Sequence, residues 1–311
     1  MPQNTDSFAE GFLELLENSI KLLEPNLQDA FQLCGMVVFS TMVFSVLPII
    51  SPRTEKITTV AGSVSIAAAM FLQTNGMLET ATGTVRDILD YGKLLCQVMT
   101  TALAAQGGVT ASSALYVGTT LFLTVLNFLI SKVIIPLICF YLVSAAAYGT
   151  LGEDILKKTA DMIKGACYWT LKTLLMIFTT YMTITGTVSG TTDIAAMKAT
   201  KVLVSSAVPI VGGILADSSE AVLVSMGIIK NAAGIYGILA VLAVFMGPFI
   251  KIGMHHLLLK ATSVICGAFG DKRMSALVES FSVAMSILLA VIGTGCVLIL
   301  ISTVCFLKGA A

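Results

Sequence analysis

Residues 94–131 contain no aspartate, glutamate, lysine or arginine, an unbroken uncharged run of 38 residues. As one straight helix it would measure ~57 Å, nearly twice the ~30 Å hydrocarbon core of a bilayer. It must therefore bend or break. Further uncharged windows cover 30–52, 57–78, 133–152, 173–192, 231–250 and 280–307. Most meet the ~20 residues a helix needs to cross a membrane. Apolar residues occupy consecutive positions, as at Val133-Ile134-Ile135 and Leu298-Ile299-Leu300-Ile301. A transmembrane β-barrel would instead alternate over ~10-residue strands. The expected class is all-α: a polytopic helical membrane protein with about six to eight hydrophobic elements, some of them broken or re-entrant.

Composition narrows the function classes. The 311 residues carry 18 basic and 18 acidic side chains, 12% charged in all, against 56% apolar. This balance excludes a disordered chain and a nucleic-acid binder acting through a basic surface. It also argues against a soluble enzyme, which could not cover itself in polar groups. No Walker, GxSxG or zinc motif is present, and no CxxC pair occurs among the seven cysteines. His255 and His256, the only histidines, point ~100° apart on a helix and are poorly placed to share a metal. Flanked by Lys251 and Lys260, they read as a solvated interfacial patch. No cofactor, metal or catalytic residue is expected.

The chain divides into an acidic segment, 1–30, and a membrane domain, 31–311. The first segment reads as an amphipathic helix over 7–24, with Ser7 and Glu10 at capping-box spacing. It lacks the basic and apolar stretches of a signal peptide. Two leading spans follow in 31–76, joined by a loop holding Arg53 and Lys56. Basic loops favour the cytoplasm, so the acidic N-terminus is placed outside and this loop inside. Residues 77–93 read as an amphipathic helix between spans: Met77, Ala81, Val85 and Leu89 against Glu79, Arg86, Asp87, Asp90 and Lys93. A second one covers 154–169, ending in Tyr168-Trp169 and placed on the cytoplasmic face by its lysines. A span at about 170–188 follows.

Residues 77–188 and 189–307 read as two diverged copies running in the same direction. Leu94–Ser113 is similar to Val202–Ser219, and each contains a Gly-Gly pair. Gly107-Gly108 and Gly212-Gly213 are candidate helix breaks, either simple ones or half-helix ends facing a cavity. Pro136 and Pro248 are candidate kinks in the long apolar stretches that follow. Two intramembrane polar residues stand out. Lys132 either snorkels to an interface or faces a pore. Asn127 reads as a helix–helix hydrogen bond.

The candidate functional surface lies on 217–234. At 100° per residue, Asp217, Glu220, Gly227, Asn231 and Gly234 share a stripe about 100° wide. Lys230 lies about 80° from Glu220, within reach of a neighbouring helix or the interface. The stripe is either a tight packing seam or one wall of an aqueous path or partner groove.

The block Ala207–Gly234, AVPIVGGILADSSEAVLVSMGIIKNAAG, together with NFLISKVIIPLICFYLVSAA at 127–146, resembles the stage III sporulation protein AE family. The specific order is Gly212-Gly213, Asp217, Glu220 and Lys230-Asn231. The resemblance runs from about residue 30 to the C-terminus. It implies a membrane-embedded part of the channel complex joining mother cell and forespore, in the mother-cell-derived membrane. The implied partners are the other stage III sporulation A-operon proteins and, through them, stage II sporulation protein Q. It also implies an N-terminal leader, so this chain reads either as a mature or trimmed form or as one with a variant gene start. A homo-oligomer, a secondary transporter and a non-conducting scaffold remain open. The lipid bilayer is an expected contact; nucleic acid is not.

The topology is testable. Single cysteines replacing Asn4 and Lys158 in a cysteine-free background should label from opposite sides of the membrane. Labelling of both from one side would overturn the assignment.

Overall fold

A computed structural model describes residues 11, 13, 14, 17, 21, 23–50, 55–207, 212–269 and 272–308. Side chains are described for these except 23–27, 29, 48–50, 55–56, 186–207, 212–224 and 269. All described residues are helical apart from the turns at 106–108 and 152–153. The helices are α1 (Leu23–Ile50), α2 (Glu55–Ala105), α3 (Val109–Leu129), α4 (Ile135–Leu151), α5 (Asp154–Ala207), α6 (Gly212–Phe269) and α7 (Lys272–Lys308). A π turn, Ile130–Ile134, joins α3 to α4 without a break. Among the described residues, five stretches are long and apolar enough to cross a membrane by length and composition: Ala30–Leu47, Ile57–Ala105, Val109–Leu151, Ser225–Ala268 and Lys272–Lys308. The fold is all-α and membrane-like. Most of the expected N-terminal helix, 7–24, lies outside the described residues. Its described positions are helical, and Lys21 bonds Glu17 one turn away at 2.8 Å.

Several helices run further than the sequence divides them. Residues 57–73 and 77–93, read as a span and a separate amphipathic helix, are one helix, α2, of 51 residues. At 1.5 Å per residue it is ~76 Å long. It contains no proline, and it passes through Gly62, Gly76, Gly83 and Gly92 unbroken. Residues 154–169 and the expected span at 170–188 are likewise part of the 54-residue α5. Its side chains beyond 185 lie outside the described set. α6 continues through Pro248.

Contacts between helices fix their directions. At one end of the bundle, a Cβ on Gly62 would meet Met274, and one on Gly149 would meet Leu277. There Ser63 Oγ donates to the Gly149 carbonyl across α2 and α4 at 2.9 Å. At the other end Gly227 faces Gln106 and Gly234 faces Leu307. So α2, α5 and α7 run one way, and α3–α4 and α6 return. The α4–α5 and α6–α7 connectors, with Lys157, Lys158, Lys272 and Arg273, meet at the first end. Gly152 closes α4 there in a left-handed conformation (φ 74°). The Arg273 guanidinium lies within 2.9 Å of where its Cβ would be.

α7 is the core helix. Met274, Leu277, Phe281, Leu288, Ile292, Ile299 and Phe306 are all buried, packed among α2, α4, α5 and α6. Glycines let the neighbours close on one another: Gly92 of α2 against Ile299 and Leu123, and Gly237 of α6 against Leu95. On the α3–α5 seam, Tyr181 occupies the space a Cβ on Gly118 would need. Its hydroxyl donates to the Ala114 carbonyl at 3.2 Å. A rigid ring cannot step aside as a flexible side chain can. Gly118→Leu should therefore cost ~1–3 kcal/mol by overpacking and lower the melting temperature of the detergent-purified protein. Adding Tyr181→Ala should recover part of the loss. An unchanged melting temperature in the single variant would show that the seam is open.

Candidate functional surface

The predicted breaks differ in kind. Gly107 (φ 91°) ends α2 in the left-handed region. Its N–H donates to the Ala104 carbonyl at 2.9 Å, and the Gly108 N–H to Leu103 at 3.1 Å. This is a Schellman cap, and the left-handed position favours glycine. No half-length helix precedes it. Gly212 and Gly213 open α6, and residues 208–211 before them lie outside the described set. Pro136 follows the π turn, where the Ile135 N–H bonds the Ile130 carbonyl five residues back. A proline offers no N–H to the carbonyl four residues earlier and clashes with it. The widened turn relieves both problems. Lys132 sits in this turn with an exposed side chain. Asn127 is also exposed, and no described residue bonds its side chain.

The predicted stripe on α6 is described only from Ser225 onward. Asp217 and Glu220 are helical, but their side chains lie outside the described set. Gly227, Lys230, Gly234, Gly237 and Val241, spaced three and four residues apart, form a seam toward α2 and α7. Gly227 faces Gln106, and Gly234 faces Leu307. Asn231 lies at the seam's edge, exposed. Lys230 is inside it at 5% exposure, with no acidic partner among the described residues. The seam is thus rotated from the predicted stripe. Steric fit of the glycines sets its position, and polarity does not.

The histidines are not a solvated patch. His255 is 2% exposed. Its Nδ1–H donates to the Lys251 carbonyl at 2.9 Å, which leaves Nε2 to accept from the Gln73 amide of α2 at 3.0 Å. His256 points the other way, to α7. Its Nδ1–H donates to the Ser282 carbonyl at 2.8 Å, and Ser282 Oγ donates back to the His256 carbonyl at 3.1 Å. Seven residues along, Ser263 and Ser275 exchange bonds in the same way. Lys260 pairs with Glu279 between the two exchanges, and Ser263 also donates to Glu279 at 3.1 Å. Tyr168 and Ser286 bond across α5 and α7. Further along α7, Ser302 joins Thr119 of α3 at 2.6 Å. These polar groups satisfy one another between helices. Among the described residues no cluster of His, Cys, Asp or Glu could hold a metal ion.

The feature underestimated in the sequence is the middle of α2. The predicted apolar side is buried: Met77, Ala81, Val85, Ile88 and Leu89. Glu79, Arg86, Asp87, Asp90 and Lys93 are exposed. Depth is what the sequence did not show. Gly92 lies against Leu123 and Ile299, while Ile88 and Leu126 flank Gly295. Arg86, Asp87, Asp90 and Lys93 are therefore level with the interior of two uncharged runs, 94–131 and 280–307. At that level α3 turns Val117, Leu121, Val125 and Phe128 outward. The signal available in the sequence was negative: nothing between 55 and 105 ends a helix.

The family model of stage III sporulation protein AE matches residues 4–309. The chain belongs to that family. It is also similar to the stage III sporulation protein AE of Bacillus subtilis (strain 168), 20% identical over 227 residues. That match covers 71% of this chain, and the chain spans 57% of the relative's length. No solved structure matches. Membership assigns the chain to sporulation.

Gln73→Leu tests the α2–α6 bond. It leaves the buried Nε2 of His255 without its donor, which should cost ~1–3 kcal/mol and lower the melting temperature in detergent. Adding His255→Leu should restore much of it. Equal melting temperatures for wild type and Gln73→Leu would remove the bond from the account.

Proposed function

We propose that this chain is a non-enzymatic, multi-pass component at the membrane-embedded core of the channel complex linking mother cell and forespore. It resides in the mother-cell-derived membrane and supports forespore development. Its partners are the other stage III sporulation A-operon proteins and, through them, stage II sporulation protein Q. One observation carries this reading beyond family membership: the charged outer face of α2, level with the apolar interior of α3 and α7. Each charge facing lipid at mid-span costs ~2.5–3.5 kcal/mol. A helix with this face therefore belongs beside water or protein, as in an assembly around an aqueous route. A secondary transporter would instead need a cavity between its two units. The space between the units is closed by Gly92 against Ile299 and by the Thr119–Ser302 and Tyr168–Ser286 bonds, which favours the channel component.

Spore formation tests the reading. In a host lacking its own copy, Asp90→Leu combined with Lys93→Leu should insert and accumulate normally, because both side chains face outward. Heat-resistant spores should fall by an order of magnitude or more. Lipid-side controls on α3, such as Val125→Leu, should be silent. Normal spore counts in the double variant would sink the reading.

A further inference from the structure

The outer face of α2 is longer and more regular than its charges alone. With Asp90 as origin, Gly76, Glu79, Gly83, Arg86, Asp87, Lys93, Gln97 and Thr101 all fall within about 60° of it at 100° per residue. Gly76, Gly83, Asp90 and Gln97 recur every seven residues, the spacing that keeps one face turned toward a neighbouring helix. All nine positions are exposed along one line. A Cβ on Gly76 or Gly83 would meet nothing within 4 Å. Lys93 bonds Asp90 on the same helix at 3.0 Å, and no described residue pairs with Glu79, Arg86 or Asp87.

The face is complementary to itself. Acids and bases are interspersed along it: Glu79, Arg86, Asp87, Asp90, Lys93. Two α2 helices related by rotation about an axis along the membrane normal carry these residues at equal depth. Arg86 of one copy then stands about 1.5 Å in height from Asp87 of the other, and Lys93 about 4.5 Å from Asp90. The open glycines permit close approach of the backbones, as small residues do at membrane helix contacts. A different partner would have to match both the depth and the charge order. A second copy matches depth by symmetry, and it sets Arg86 beside Asp87 and Lys93 beside Asp90.

We infer that the α2 face is the contact between copies of this chain, packed around an axis along the membrane normal so that their charges are kept from lipid. This rests on the proposed function only in placing the bundle in the membrane. The test uses the full chain in native membranes, otherwise free of cysteine, with Gly83→Cys, Asp90→Cys or Gln97→Cys introduced singly. Val125→Cys and Phe128→Cys on α3 serve as controls at similar depth. Oxidation should give disulfide-linked dimers at all three α2 positions, several-fold above the controls. Dimer yields no higher than the controls, in protein shown to be inserted, overturn the inference. So does a bond to a cysteine placed at Glu14 that leaves the chain monomeric, because the N-terminal segment would then be the cover. A membrane-impermeant thiol reagent separates this inference from the channel reading. Uncrosslinked α2 cysteines that react with it overturn the inference and leave the aqueous route standing. Positions that crosslink on oxidation and that, before it, never react with the reagent uphold the contact and remove the aqueous route.

Discussion

In hydrocarbon, a backbone N–H or C=O without a partner costs several kcal/mol, and this constraint organises the chain. It keeps α2, α5 and α6 continuous through residues that would end helices in water, Gly76 and Pro248 among them. It also explains the closure of α2 at Gly107, where a left-handed residue lets two orphan carbonyls be used within the turn. Continuous helices must then find partners along their whole length. They do so around α7, whose apolar residues are buried from Met274 to Phe306.

The class was legible because it depends on runs of residues. Long uncharged windows give helices of bilayer-crossing length, and the Gly107-Gly108 turn followed from a run too long to stay straight. The amphipathic side of 77–93 was correctly divided into buried and exposed residues. Its status as the middle of a longer helix was not legible, because composition changes along a helix without ending it. The α6 stripe was placed by polarity, whereas glycine packing against Gln106 and Leu307 sets the seam. Lys230 consequently falls inside and Asn231 at the edge. Burial depends on the shape of neighbours that a single segment does not contain.

The histidines show the same limit and a partial success. Their divergence by ~100° on a helix does send them to different neighbours, Gln73 of α2 and Ser282 of α7. Adjacent lysines made them look solvated. In the structure Lys260 is drawn to Glu279 on α7, so the lysine marks a helix–helix contact. The polar residues of α7 form a ladder of cross-helix bonds from Ser275 to Ser302. A helix with so little charge is thereby held in one rotation and one register.

The π turn before Pro136 sets the phase of everything after it. Leu126, Ile130, Ile134, Ile138 and Leu142 are buried at intervals of four. In an uninterrupted α-helix each such interval advances the face by about 40°, or about 160° over the four steps. A single wide turn absorbs much of that rotation. α3 and α4 can then present one continuous apolar edge to the bundle along their combined length, and Lys132 is left on the outward side of the bend.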